Sequence, residues 1–304
     1  MVQNKKTLTS IDKAKETSSI GYATLILLAL VWGSSFILIK KGLLAFAPLQ
    51  VASLRIGIAG LAFLPILIFN FKKIDWTKIK QLLIVGSAGS AVPAILFSLA
   101  QTEVSSSVAG VLNSLTPLFV LIQGALFFGL VLTRNNVIGV ALGLVGAASL
   151  ILLGKDIASD GNQWYAIFLI LGTMCYALSV NTVQKYFQDI SAVNLSAAAY
   201  CLVAPAGLIY LGFSDFVEVI QTHPDAITSL LSVTVLSLAG TVIASIIFFK
   251  LVQITSALFA SMVAYLIPII ALVFGSFDGE PITFFHFLGM GMILLGVYIT
   301  RKKE

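Results

Sequence analysis

The sequence predicts an all-α polytopic membrane protein, with ten transmembrane helices arranged as two five-helix halves of opposite orientation. Three observations lead there. Of 304 residues, 59% are hydrophobic and 10% are charged, whereas a soluble domain is roughly 45–50% apolar and about 25% charged. The apolar residues gather into runs of roughly 20, long enough to cross about 30 Å of hydrocarbon, and the mean hydropathy is +1.03. The pattern then repeats with a period of five runs. A water-soluble globule is excluded, and Cys175 and Cys201, both inside apolar runs, read as small reduced hydrophobes rather than a disulfide framework.

Residues 1–19, MVQNKKTLTSIDKAKETSS, are rich in Lys, Ser and Thr and read as a solvated tail; no small-residue cleavage site follows them. Ile20 to Lys40 carries one charge, at its end, and forms the first span. Punctuation by Pro, Gly and charge sets further spans near 48–70, 80–101, 105–130, 136–154, 163–186, 192–213, 227–250, 255–276 and 282–300. Their apolar character runs around the whole helix, unlike the one-sided stripe of a soluble bundle. The alternating ten-residue strands of a membrane barrel are absent.

An even number of spans places both termini on one side. With that side cytoplasmic, fourteen Lys and Arg lie inside, and Lys40, Lys41 and Lys155 lie outside. Arg55 stays within a span. This positive-inside bias sets both termini in the cytoplasm of a cell membrane. Glu103, Asp156, Asp160, Asp215, Glu218, Asp225, Asp278 and Glu280 fall outside, which is consistent but contributes little to the rule.

The stretch SSSVAGVLNSLTPLFVLIQG, from residue 105 to 124, aligns without gaps to the stretch ending at Gly275, so that Ala109 falls on Ala260, Leu115 on Leu266 and Pro117 on Pro268. One residue of slippage later, Gly139 and Gly146 match Gly289 and Gly296. VWGSSFILIKKG lies on CYALSVNTVQKY, placing Trp32 opposite Tyr176 and Lys41 opposite Lys185. An odd number of helices per unit inverts the second copy, the arrangement of carriers that alternate access around a midplane site. The chain therefore divides into a cytoplasmic tail (1–19), a first repeat (20–154), an external connector (155–162), a second repeat (163–301) and a cytoplasmic end (302–304).

These motifs, WGSSF, the Arg55 of LQVASLRIGIAG, SLTPLF, LAGTVIASIIFFK, YLIPIIALVFG and FDGEPITFFHFLGMGMILLGV, resemble the EamA family of the drug/metabolite transporter superfamily over residues 20–300. The resemblance implies ten helices in two inverted EamA repeats and movement of a small metabolite. One departure concerns the family's Gly-Glu pair. Gly279 and Glu280 supply it in the second repeat, while the first reads FFGLVLTRNN.

Depth along each span sorts the candidate substrate-binding residues. Trp32 and Tyr176 lie about 18 Å and about 20 Å into their spans at 1.5 Å per residue. Membrane aromatics favour the interfaces, so these rings suggest a cavity lining, with plain packing as the alternative. Asn113 and Tyr265 also approach the midplane, ahead of Pro117 and Pro268, and a proline in a helix frees the carbonyl four residues earlier. Pro93 bends the third span in the same way. Asn181, Gln184, Thr241 and Ser245 form a second polar group, whose hydroxyls otherwise bond their own backbone. For Arg55 the readings are an outward pairing with Glu103 or recognition of a carboxylate or phosphate.

No Asp or Glu lies near the centre of a span, so a carboxylate proton relay is unsupported, and His286, near the outer start of the tenth span, reads as structural. GxSxG, HExxH, CxxC and Walker patterns are missing, which argues against catalysis, a metal or a cofactor. The small-residue ridges from Gly139 and Gly289 read as close helix packing. The reading is a secondary transporter, by preference an exporter of an amino acid or similar neutral or zwitterionic metabolite. A nucleotide-sugar or drug exporter, and a non-transporting receptor or structural membrane protein, remain as alternatives. The expected partners are the substrate and the lipid bilayer, with a homodimer left open and no nucleic acid.

Overall fold

A computed structural model describes residues 20–130, 133–153 and 162–301. The predicted tail 1–19, connector residues 155–161 and end 302–304 lie outside the described residues. Ten principal helices follow one another: α1 (Ile20–Gly42), α2 (Pro48–Lys73), α3 (Trp76–Ala100), α4 (Ser106–Phe127), α5 (Arg134–Leu153), α6 (Ala166–Tyr186), α7 (Ala192–Phe213), α8 (Ala226–Ile254), α9 (Ala257–Phe277) and α10 (Phe284–Arg301). Among the described residues, α1 to α4 and α6 to α9 are the eight helices long and apolar enough to cross a membrane. The apolar stretches of α5 and α10 are shorter, Arg134–Leu150 and Phe284–Gly296.

Where helix ends depart from the sequence expectation, local bonds explain the shift. α3 opens at Trp76 rather than near 80, because the Asp75 carboxylate accepts from the Thr77 amide at 3.1 Å and starts a 3-10 turn. α4 stops at Phe127 rather than 130. Gly129 adopts φ +78°, a conformation cheap for glycine, and the Leu130 amide bonds back to the Gly124 carbonyl at 2.9 Å. The end of α9 has the same construction: Gly279 has φ +79° and the Glu280 amide bonds the Gly275 carbonyl at 2.9 Å. A short helix not foreseen in the sequence, Phe216–Thr222, joins α7 to α8, its Phe216 ring 5.5 Å from that of Phe46.

Several helices are interrupted in their interiors. α4 breaks after Asn113, and the carbonyl that Pro117 leaves without its helical partner accepts instead from the Thr116 hydroxyl at 2.8 Å. α9 breaks at Met262, with Pro268 six residues on. α3 and α8 each contain a π-helical stretch, Ser87–Ala91 and Leu238–Ile243; Pro93 follows the first directly. Such bulges are rare and gather at functional sites.

Lipid offers apolar surfaces no drive to associate, so helices must gain from close van der Waals approach. The predicted glycine ridges supply it between α5 and α10. A methyl added at Gly296 would lie 2.4 Å from the Gly139 carbonyl oxygen, and one at Gly289 would lie 3.2 Å from that of Gly146. Between α2 and α7, Gly60 faces Ala204 and Gly207 faces the Ser53 backbone. These contacts leave the other faces of α2 and α7 free to approach the cavity described next.

Candidate functional site

A cavity of about 100 Å³ lies between α1–α4 and α6–α9, and each of those eight helices contributes to its wall. α1 brings Trp32, Ser35, Phe36 and Ile39; α2 brings Arg55; α3 brings Gly89 and Phe97; α4 brings Asn113 and Thr116. From the second half come Tyr176, Ser179 and Val180 of α6, Tyr200 of α7, Gly240, Ser245, Phe248 and Phe249 of α8, and Ser261, Val263, Ala264 and Ile267 of α9.

The aromatic rings pair across helices in two like arrangements. Trp32 of α1 meets Phe248 of α8 edge-on at 5.0 Å, and Tyr176 of α6 meets Phe97 of α3 at 5.7 Å. The π-helical stretches make these approaches possible. A π turn frees a carbonyl from the helical ladder, and the Trp32 indole N–H donates to that of Gly240 at 2.8 Å. Gly240 and Gly89 sit where a side chain would strike Ser35 Oγ, 3.0 Å away, and Ser179 Oγ, 2.5 Å away. Both glycines therefore serve close approach.

Arg55 is 9% exposed, and its Nε–H donates to Thr241 Oγ1 at 2.8 Å. The Tyr176 hydroxyl is a further neighbour of the guanidinium. Of the two readings of Arg55, the outward pairing with Glu103 is not made: Glu103 accepts from the Asn162 amide at 2.9 Å. The π stretch of α8 presents Thr241 to Arg55, so the guanidinium is turned inward rather than toward the outer loops.

Of the residues singled out in the sequence, Trp32, Arg55, Asn113, Tyr176 and Ser245 come together on the wall. Thr241 stands behind Arg55. Asn181 is not on the wall; its amide holds α6 to α4 through the Val120 carbonyl at 3.1 Å. Tyr265 packs part-buried against the apolar core, and Pro93, Pro117 and Pro268 shape helices without lining the cavity. Phe97, Phe248, Tyr200 and Thr116 escaped sequence reading. Extending the register that equates Pro117 with Pro268 back to α3 and α8 pairs Gly89 with Gly240 and Phe97 with Phe248, a signal sufficient to find four wall residues.

Polar clasps close the two ends of the helix set. At one, Glu280 crosses to the N-terminus of α4, where Oε1 accepts from the Ser106 amide at 2.9 Å, and Oε2 from the Ser107 amide at 3.0 Å and the Ser107 hydroxyl at 2.7 Å. Lys40 of α1 bridges Glu280 at 3.1 Å and Asp278 at 2.9 Å. Burial alone would raise the Glu280 pKa; the Ser107 hydroxyl, the two amides and the Lys40 charge outweigh it and hold the carboxyl below its ordinary value. At the corresponding N-terminus of α9, Ala257 donates instead to Gln184 Oε1 of α6, at 2.6 Å. Leu130 occupies the position equivalent to Glu280, one residue beyond the positive-φ glycine. The Glu absent from the first repeat is thus a helix cap, and a neutral amide from α6 replaces it.

Comparison with known proteins gives consistent matches. The EamA-like transporter family matches residues 19–152 and again 163–301. An uncharacterized transporter of Archaeoglobus fulgidus is 26% identical over 274 residues, covering 90% of this chain and 95% of its own. The uncharacterized inner membrane transporter YedA of Escherichia coli K12 is 27% identical over 284 residues, with 91% and 89% covered. An S-adenosylmethionine/S-adenosylhomocysteine transporter of Chlamydia muridarum is 24% identical over 286 residues, with 91% and 90% covered. One solved crystal structure superposes with a TM-score of 0.63 at 13% identity, covering 93% of this chain and 96% of the other, a likeness of fold.

Proposed function

From the premise that the chain belongs to the EamA-like transporter family, we propose that it is a secondary carrier that exports a small metabolite across the cell membrane by alternating access. The observation that carries this reading is the cavity wall, built from four helices of each half, α1–α4 and α6–α9, with α5 and α10 packed outside it. In this reading all ten helices span the bilayer, the halves 20–154 and 163–301 are inverted copies, and both termini are cytoplasmic. The like pairings of Trp32 with Phe248 and of Tyr176 with Phe97 support the inverted relation.

The halves rock about the central cavity and open its ends in turn. In this topology the Lys40–Glu280 clasp ties the halves at the outer end and parts when that end opens, while at the cytoplasmic end the tie across the halves is the Lys78 ammonium on the Tyr186 carbonyl at 3.2 Å. The rings cover apolar substrate surface, while Asn113 and Arg55 meet polar groups. An amino acid or similar neutral or zwitterionic solute is the class suggested by the sequence and the first to assay.

Counterflow in proteoliposomes preloaded with pooled metabolites tests the carrier reading, with native protein set beside Trp32→Ala and Asn113→Ala. Flux that both substitutions reduce is the expected result. Absence of flux from every pool, with folded protein verified, refutes it in favour of a receptor.

A further inference from the structure

Among the described residues that line the cavity, Arg55 alone is charged. Its guanidinium has five N–H donors, of which Nε–H is engaged by Thr241. No carboxylate among the described residues lies within salt-bridge distance of it. A buried cation without a counter-ion is costly, and such residues inside membranes mark solute or ion paths.

Packing does not require the charge. In the second half the corresponding place, on α7 beside the π-helical stretch of α3, is filled by Tyr200, which lines the same cavity next to Ser90 as Arg55 does next to Thr241. A neutral phenol therefore satisfies the same architecture. The wall hydroxyls of Ser35 and Thr116 already donate to the Val31 and Asn113 carbonyls, each at 2.8 Å, so toward a solute they only accept. They do not replace the guanidinium as donors to an anion.

We propose that Arg55 binds the carboxylate of the transported solute and that the site takes singly anionic organic acids with an apolar or aromatic body. This keeps the carrier reading, replaces the neutral or zwitterionic class suggested by the sequence with an anionic one, and rests on that reading for flux, though not for binding. A carboxylate cancels the cavity's charge and matches the planar fork of the guanidinium with two parallel bonds. The flanking rings supply the apolar complement.

The test uses full-length protein and matched probes: 3-phenylpropanoate, its amide 3-phenylpropanamide, and phenylalanine. Ligand-induced thermal stabilisation is read in detergent and counterflow in proteoliposomes. Native protein is expected to favour the acid over the amide at least tenfold in both readouts. Phenylalanine ranks between them, because the wall has no carboxylate for its ammonium. Arg55→Gln brings the acid-to-amide ratio near one, and Arg55→Lys, which keeps charge without the fork, falls between. If Arg55→Gln does not fold, Thr241→Val reports instead, since it frees the guanidinium from its anchor and is expected to cut the ratio severalfold.

Equal handling of acid and amide by native protein, or an unchanged ratio in Arg55→Gln, overturns the proposal while leaving the carrier reading intact. Phenylalanine outranking phenylpropanoate overturns the singly anionic assignment. Stabilisation by the acid without flux upholds anion binding at Arg55 and overturns its assignment to the transported solute. Failure of every probe to stabilise or move overturns the proposal.

Discussion

Replacing Glu280 with Gln removes one charge and little volume, so its effect measures the clasp directly. The carboxylate side chain is 4% exposed and accepts from four donors: two amides, the Ser107 hydroxyl and Lys40. In Gln one oxygen still accepts, while the new NH2 faces donors. Hydrogen bonds to a charged group contribute about 1.5–3 kcal/mol, and removing one partner of a buried pair costs about 3–5 kcal/mol. Lys40 keeps Asp278 at 2.9 Å and is 38% exposed, which places the expected loss near the lower figure, about 2–3 kcal/mol. At about 2–4 °C per kcal/mol for a chain of this order of size, melting in detergent falls by about 4–12 °C. Ser107→Ala, which removes one bond, is expected to cost about 1 kcal/mol. Glu280→Gln melting within about 1 °C of native refutes the reasoning, since it means that the carboxylate charge adds nothing at the α4 terminus.

The same clasp sets a pH dependence. The Glu280 pKa is lowered by folding, so its stabilisation is complete at neutral pH and is lost as pH falls through the ordinary glutamate value of about 4.3 and below; melting curves of native protein and Glu280→Gln should converge there. Gln184→Ala leaves the Ala257 amide without its 2.6 Å acceptor and is expected to lower melting by about 1 kcal/mol of stability. Gly296→Val drives a side chain against the Gly139 backbone and should cost about 1–3 kcal/mol. By contrast Gly291→Ala, with open space around it, should leave melting unchanged or slightly raised. Trp32→Phe keeps a smaller aromatic ring and leaves the Gly240 carbonyl without its donor, a loss of about 1–3 kcal/mol that should slow counterflow about tenfold.

Most of the helices were legible because lipid imposes a single ruler, a run of about 20 apolar residues. The glycine ridges were legible because small residues at regular spacing have few other uses in a membrane. The π-helical stretches were not, since SAGSA and LAGTVI differ in no obvious way from α-helical sequence, and the partners of the second, Trp32 and Arg55, lie far away in the chain. Span depth pointed to Trp32, Asn113 and Tyr176, which line the cavity, but left open which way Arg55 turns. Its direction depends on a hydroxyl 186 residues away in sequence, a pairing that no local pattern encodes.

The unequal clasps have a thermodynamic consequence. In the proposed topology, an ion pair reinforced by two amides ties the outer end across the halves. At the inner end the equivalent cap is one neutral bond between α6 and α9 of the same half, with Leu130 at the Glu280 position, and the tie across the halves is the Lys78 ammonium on the Tyr186 carbonyl at 3.2 Å. In the carrier reading, an end tied by an ion pair and two amides opens less readily than one tied by a single bond to a carbonyl, which favours the conformation closed outside. The groups that set this lean are Glu280, Lys40 and Asp278, with His286 of α10 within electrostatic reach. In the carrier reading, external acid is therefore expected to change how long each conformation is occupied, and with it the rate of transport.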